Sequence, residues 1–491
     1  MTRAAGVVQR RVWASALLPA GALLGFLAAG CAVSEPAVTF AAAAVILAIS
    51  AAAGFVRRTV SPHALLGAFL LLTILRPLPS VRGDPFVVGR SVDALWLALA
   101  LAIAVTSSRR APGAGYVTVW APGLWLIILT LITGLSTALG SLVPGKTIVL
   151  RDLFEMYRWP YYLLVLALAS HARWSADQID VHFIKPLLLG IYVETAITLL
   201  QLPQTGYLRS TLEYLYTLKY SSAGGAGVLR LHLNGTFANA NFMGVALATL
   251  LPFVISAFAV AHDAHSRMVA SGAIACNCGL ILASGSRTGW VAALIAASLY
   301  FAYGAVAQRR LRVLRRQAGL PGYRGVAVIA AAGAALVLAL VFPHLERFTT
   351  TLAELRSGGP MAVASLRTKY EDSVRFVAQA MATSPLFGLG PSKATDSYLG
   401  DNQYSVLLYR YGLFGTFCWL AFWARIYASA LRALFRSLSF YQAALARAVL
   451  SAVPALLVAG ATGAFFDSTQ IATVVLLLIG IAYAATGKTL G

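Results

Sequence analysis

Acidic side chains are scarce in this sequence. Asp and Glu number 17 in 491 residues, and all charged residues together make up 11% of the chain. Soluble domains carry about 25% charged residues, so a water-facing surface of ordinary composition is excluded. Cysteine is also sparse, and four residues are too few for a disulfide framework. Cys276, Cys278 and Cys418 lie within apolar runs and read as buried thiols. Cys31 follows Leu27-Ala28-Ala29-Gly30, a faint lipoprotein-like box that returns at once to apolar sequence, so a retained first helix is expected. No Gly-rich nucleotide-binding fingerprint occurs. No His, Cys and carboxylate cluster has metal-ligand spacing, so no metal and no cofactor is expected.

What fills the chain is apolar: 59% of its residues are hydrophobic. Lipid requires every backbone polar group to be satisfied within a helix or a closed barrel. The apolar stretches are continuous rather than alternating, which selects helices. Runs near the spanning length of about 20 residues fall at 13–32, 37–55, 61–77, 92–106, 119–138, 155–172 and 183–201 in the first half. The second half holds 239–261, 268–284, 288–304, 325–342, 405–424, 446–465 and 470–486. The fold class expected is an all-α polytopic membrane protein of about fourteen transmembrane helices, forming one transmembrane domain over residues 1–491.

The formal net charge of +21 suggests nucleic acid, but the cations cluster in short connections between apolar runs. Starting from Arg3, Arg10 and Arg11, every second connection is rich in Arg: Arg57-Arg58, Arg109-Arg110, Arg173, Arg267, then Arg309 through Arg324. Arg425, Arg432, Arg436 and Arg447 follow, and Lys488 sits at the C-terminus. This is the positive-inside pattern, and it predicts both termini to be cytoplasmic and argues against nucleic acid as a partner.

Two outside connections stand apart by length, 202–238 and 343–404. Long loops in a bundle are often functional. In the second, Val363, Leu366, Tyr370, Val374, Val377 and Met381 recur at helical spacing, with Arg367, Lys369, Glu371 and Arg375 between them. That pattern predicts an amphipathic helix lying on the outer membrane face.

Three short segments carry the polar chemistry. Arg230, His232, Asn234, Asn239 and Asn241 crowd the mouth of one helix. Ser284-Gly-Ser-Arg-Thr-Gly289 joins two apolar runs with almost no loop, which puts Arg287 at or below the outer interface. Asp396-Ser-Tyr-Leu-Gly-Asp-Asn-Gln-Tyr404 leads straight into a helix. An Arg near the bilayer is costly and is usually aimed at an anion or a polar cavity. Two guanidinium forks with a helix N-terminus suit a diphosphate, whose charge as a leaving group they would stabilise. Asp401 can accept a proton from a hydroxyl nucleophile, with Asn402 orienting it. Each residue type also has a structural use. Arg230 suits a solvated loop, Arg287 an interfacial anchor, the asparagines turns and caps, Asp401 an N-cap, and His232 a structural contact.

Together these segments resemble the O-antigen polymerase and ligase superfamily of bacterial membrane glycosyltransferases. The likeness is carried by Gly235-Thr-Phe-Ala-Asn-Ala-Asn-Phe242, Ser286-Arg-Thr-Gly-Trp290, Pro385-Leu-Phe-Gly-Leu-Gly390, Asp401-Asn-Gln-Tyr404 and Tyr411-Gly-Leu-Phe-Gly415. It covers about 200 residues of the second half. The resemblance implies a metal-independent, inverting enzyme of the GT-C type in the bacterial inner membrane. Such an enzyme takes a glycan from a polyprenyl-diphosphate (undecaprenyl-type) carrier on the periplasmic face. Implied partners are the lipid-linked donor and acceptor, the bilayer, a chain-length regulator and a flippase. Arg287 matches the family's arginine for diphosphate recognition, and Arg230 matches the earlier-loop arginine, with Arg209 competing. Asp401 stands where ligases carry His, which favours a polymerase over a ligase. The expected site is therefore Asp401 and Arg287 for catalysis, with Arg230, His232, Asn241, Asn402 and Tyr404 binding substrate. A flippase and a cell-wall assembly scaffold are the alternatives from other classes.

Overall fold

The computed structural model describes residues 61–76, 120–143, 158–171, 174–201, 233, 235–237, 239–318, 364–391, 402–437 and 439–486, with isolated positions 353, 356 and 357. Every regular element among the described residues is helical. In chain order these are α1 (Pro62–Ile74), α2 (Trp120–Ser141), α3 (Arg158–His171), α4 (Ala176–Leu200), α5 (Ala240–Val260) and α6 (Ala264–Ala283). They continue with α7 (Arg287–Val306), α8 (Gln308–Gln317), α9 (Ala364–Thr383), α10 (Gln403–Arg436), α11 (Phe440–Gly460) and α12 (Thr469–Thr486). Seven of the described helices, α2, α4, α5, α6, α7, α10 and α11, are long and apolar enough to cross a membrane; α1 and α12 are shorter and apolar. The chain is thus a multi-pass, all-helical membrane protein. The predicted runs 13–32, 37–55, 92–106 and 325–342 lie outside the described residues.

The core is organised around α5, which is buried from Met243 to Val260 between α6, α7 and α11. Lipid offers no hydrophobic drive between helices, so close backbone approach and internal hydrogen bonds hold them. A methyl group added at Gly289 of α7 would lie 2.8 Å from the backbone of Gly244 in α5. Hydroxyls that face the interior bond back to their own helix: Thr133, Thr249 and Ser451 each donate to the carbonyl four residues earlier. Outward positions such as Leu131 (69% exposed) and Leu294 (70%) present large apolar surface, as lipid-facing helices do.

Caps, rather than hydropathy, set the helix ends. The run at 405–424 extends to Gln403–Arg436, because Asn402 caps its start and, beyond the interruption at Gly412, the helix continues to its C-cap at Ser437. The run at 446–465 begins instead at Phe440, capped by Ser439. Arg432 and Arg436 are consequently on a helix rather than in a loop. The basic stretch 309–316 is likewise helical, with Leu311 and Leu314 of α8 facing inward.

Residues 364–383 form the expected helix α9, which packs against α10; of the predicted apolar stripe, Val377 and Met381 are half-buried, and the side chains of Val363, Leu366 and Tyr370 lie outside the described residues. Val374 is 49% exposed, whereas Ser373 and Ala380 are buried and Phe376 packs on Tyr409.

The chain beyond α9 then enters the bundle. Helix α10 breaks at Gly412 (φ +64°, ψ −166°), and residues 385–390 fill the break. Leu413 and Phe414 donate to the carbonyls of Pro385 and Leu386 at 2.9 and 3.0 Å. Leu389 and Gly390 donate to the carbonyls of Tyr409 and Arg410 at 2.8 and 2.9 Å. Irregular backbone at this depth is tolerable when its polar groups are paired inside the protein.

The ends of the helices sort by charge. Arg267, the cations of α8, Arg432 and Arg436 gather at one end, where Arg310 donates to the carbonyl of Ser437 at 2.5 Å. The connections 235–239, 284–287 and 461–468, with the start of α10, lie at the opposite end.

Candidate functional site

The first polar segment is locked to α4. Gly235 sits at φ +54°, and Gln201 grips it twice, donating to its carbonyl at 2.7 Å and accepting from its N–H at 3.0 Å. The next N–H, of Thr236, donates to Glu194 Oε1 at 3.0 Å, and the Thr236 hydroxyl donates to the carbonyl of Ile74 at 2.7 Å. Glu194 is fully buried, and its Oε2 has no hydrogen-bond partner among the described residues. Asn239 caps α5 by accepting from the N–H of Phe242 at 2.9 Å. Asn241, in the first turn, is exposed. Arg230, His232 and Asn234 lie outside the described residues.

The second segment is a tight link between α6 and α7. Gly285 turns the chain at φ +62°, Ser284 Oγ accepts from the N–H of Ser286 at 3.2 Å, and Ser286 caps α7 by accepting from Gly289 at 3.0 Å. Arg287 is the first helical residue of α7 and is exposed. Its neighbour Thr288 hydrogen-bonds Thr462 at 2.7 Å, which ties this helix start to the connection between α11 and α12.

The third segment contributes mainly structure among its described residues. Asn402, rather than Asp401, occupies the N-cap of α10, accepting from Tyr404 and Ser405 at 2.9 and 3.5 Å. Tyr404 donates its hydroxyl to the carbonyl of Leu457 at 2.6 Å and packs edge-on against Trp419. Gln403 accepts from the N–H of Phe466 at 3.0 Å. Asp401 itself lies outside the described residues.

All three segments meet at residues 461–468. Phe242 of the first packs against Phe465 at 5.5 Å, Thr288 of the second bonds Thr462, and Gln403 of the third bonds Phe466. Within this turn stands Asp467, 22% exposed, which takes two buried guanidinium groups. Arg158 of α3 reaches Oδ1 at 2.8 Å, and Arg410 of α10 reaches Oδ2 at 2.7 Å. Burying charges costs several kcal/mol each unless they are paired and hydrogen-bonded. This carboxylate gathers two cations on the same turn that anchors the start of Arg287's helix.

Sequence reading did not single out Glu194, Arg158, Arg410 or Asp467. A signal was present for three of them, since Arg158, Glu194 and Arg410 are ionisable residues inside or at the edge of apolar runs. Asp467 occupies a four-residue gap between two runs and carried no such mark.

Among the described residues, no group of three or more His, Cys, Asp or Glu side chains is arranged to hold a metal ion. No protein-family model matches the chain, and no curated protein matches it.

Proposed function

We propose that the protein is a membrane glycosyltransferase that draws on a polyprenyl-diphosphate-linked glycan. In this reading it acts as a polysaccharide polymerase, passing the glycan to a sugar hydroxyl of another lipid-linked repeat unit. The observation that carries the reading is the convergence of segments 235–242, 284–290 and 402–404 on the 461–468 turn. Arg287 supplies a fork-shaped donor at a helix N-terminus, which suits a diphosphate. The arginine-rich opposite end suits the cytoplasm under the positive-inside rule, which supports reading the converging segments as periplasmic.

Chemically, displacement at the anomeric carbon forms the new glycosidic bond and breaks the bond to diphosphate. The acceptor hydroxyl loses its proton, and the leaving diphosphate takes the electron pair. Guanidinium groups and helix N–H donors stabilise the charge that develops on it. Asp401 is the candidate proton acceptor. A ligase, passing the glycan to lipid A core, would use the same donor chemistry.

A second reading, a flippase for the same lipid-linked glycan, is favoured by the break of α10 at Gly412, since broken helices mark many transport sites. One experiment separates the readings: the purified protein is incubated with a synthetic polyprenyl-diphosphate oligosaccharide and the products are resolved on a gel. A ladder of repeat lengths supports the polymerase. A single transfer that requires lipid A core supports the ligase. Donor that stays intact yet crosses the bilayer of reconstituted vesicles supports the flippase and overturns the enzyme reading.

A further inference from the structure

At the arginine-rich end, far from the converging segments, α5, α7, α8 and α11 enclose a cavity of about 640 Å³. Its lining is divided. Ile255 and Phe258 of α5 and Phe301 of α7 form an apolar wall, and Phe301 is 46% exposed toward the lipid-facing side. The rest of the lining brings four arginines together, Arg312, Arg315 and Arg316 from α8 and Arg447 from α11. None of the described lining residues is acidic.

The four are held at two levels. Arg315 and Arg447 are buried at the floor, while Arg312 and Arg316 are exposed one turn apart on α8. Arg447 lies with its guanidinium 3.9 Å from the centre of the Tyr300 ring and donates to the Tyr300 carbonyl at 2.9 Å. Room for it exists because residue 304 is glycine; a methyl group there would lie 2.7 Å from an Arg447 nitrogen. Arg315 stands over the Phe440 ring at 5.8 Å. These contacts fix two cations at a depth where an isolated charge is expensive. They face the same space as two more cations at the rim and a strip of hydrocarbon.

We propose that this cavity binds an anionic phospholipid of the leaflet at the arginine-rich end. The phosphate sits among Arg312, Arg316 and the floor arginines, and an acyl chain runs along Ile255, Phe258 and Phe301. A soluble anion would use the arginines and leave the apolar wall without a purpose. A zwitterionic lipid would use the wall and bring its own cation toward four others. Only a lipid with net negative charge matches both halves of the lining. The inference is independent of the glycosyltransferase reading, because the cavity shares no residue with the other end.

The test uses the full chain in detergent, with thermal unfolding followed during titration with phosphatidylglycerol, phosphatidylcholine or inorganic phosphate. Phosphatidylglycerol is expected to raise the melting temperature saturably, and the other two to leave it unchanged at equal concentration. The double variant Arg312→Gln/Arg316→Gln removes two exposed cations, so its lipid-free melting temperature should match the parent. Its apparent affinity for phosphatidylglycerol should fall roughly 30-fold, at about 1 kcal/mol per cation. Arg312→Lys/Arg316→Lys keeps the charge and should retain most of that affinity. Stabilisation by phosphatidylcholine to the same extent overturns the proposal, as does an equal effect of inorganic phosphate, which would mark a soluble-anion site. Undiminished binding by the Gln pair, or its loss in the Lys pair, overturns it as well.

Discussion

Arg410 and Asp467, 57 residues apart in sequence, meet at 2.7 Å, and the other oxygen of the same carboxylate holds Arg158 at 2.8 Å. One carboxylate thereby fastens three elements: α3, the segment of α10 before its break at Gly412, and the turn before α12. The neighbouring Phe466 is pinned in the same way. Its N–H goes to Gln403, its carbonyl to the Tyr162 hydroxyl, and its ring to Trp419 and Trp423. The turn is therefore rigid, and the three polar segments that touch it are held in fixed relation. A site that must meet a diphosphate with several donors at once needs such pre-organisation.

Asp467→Ala should be destabilising, because it removes the carboxylate that two buried guanidinium groups share. Removing one partner of a buried pair costs roughly 3–5 kcal/mol. Asp467→Asn keeps an acceptor and should cost less. Thermal unfolding in detergent checks both, and a melting temperature unchanged in the Ala variant would mean that solvent at the partly open carboxylate already screens the pair.

Gly412→Ala should fail for two reasons that add. Its φ of +64° and ψ of −166° fall in a region that essentially only glycine occupies, where a side chain costs roughly 1–3 kcal/mol. A methyl group there would also lie 2.4 Å from the backbone of Leu386. The substitution would push segment 385–390 out of the break and unpair four backbone hydrogen bonds. Loss of folded protein in membranes, or proteolytic exposure between α9 and α10, is the expected readout. Normal yield and stability would show that α10 can close into a continuous helix.

The helical, multi-pass character was legible because continuous apolar runs have one structural outcome in lipid. Arg287 was legible too, since the link Ser284–Gly289 is too short to carry it away from the helix start. The break at Gly412 was not. Tyr411-Gly-Leu-Phe-Gly415 reads as ordinary apolar helix, and only the backbone of residues 385–390 pairing across the gap makes the break stable. Asp467 was hidden for a related reason. Its meaning lies in Arg158, 309 residues earlier, and no local pattern links them. Tyr404 and Asn402 illustrate the reverse case: polar residues at a promising address whose described hydrogen bonds serve α10 and its packing.

Glu194 tests how the first segment is held. Glu194→Gln preserves an acceptor for the Thr236 N–H while removing a fully buried carboxyl group, so stability should be unchanged or raised. Glu194→Leu leaves that N–H unsatisfied and should cost about 1–3 kcal/mol. Equal stability of the Gln and Leu variants would show that the Gln201 and Ile74 contacts alone hold the turn.

Arg287 separates the structural from the functional account of the converging segments. It is exposed and stands at the first helical position of α7, whose cap is made by Ser286, so Arg287→Ala should leave folding and membrane insertion intact. If the residue grips a leaving diphosphate, the same substitution should reduce glycan transfer by a factor on the order of 10²–10³, the usual cost of one donor aimed at developing charge. Arg287→Lys should recover little, because a point charge does not reproduce two parallel N–H donors. An interfacial anchor behaves otherwise: Lys would replace Arg without loss, since both reach the headgroups equally well. Measuring transfer rates of the three proteins at matched, verified expression decides the matter, and full activity of the Ala variant would remove Arg287 from the proposed site.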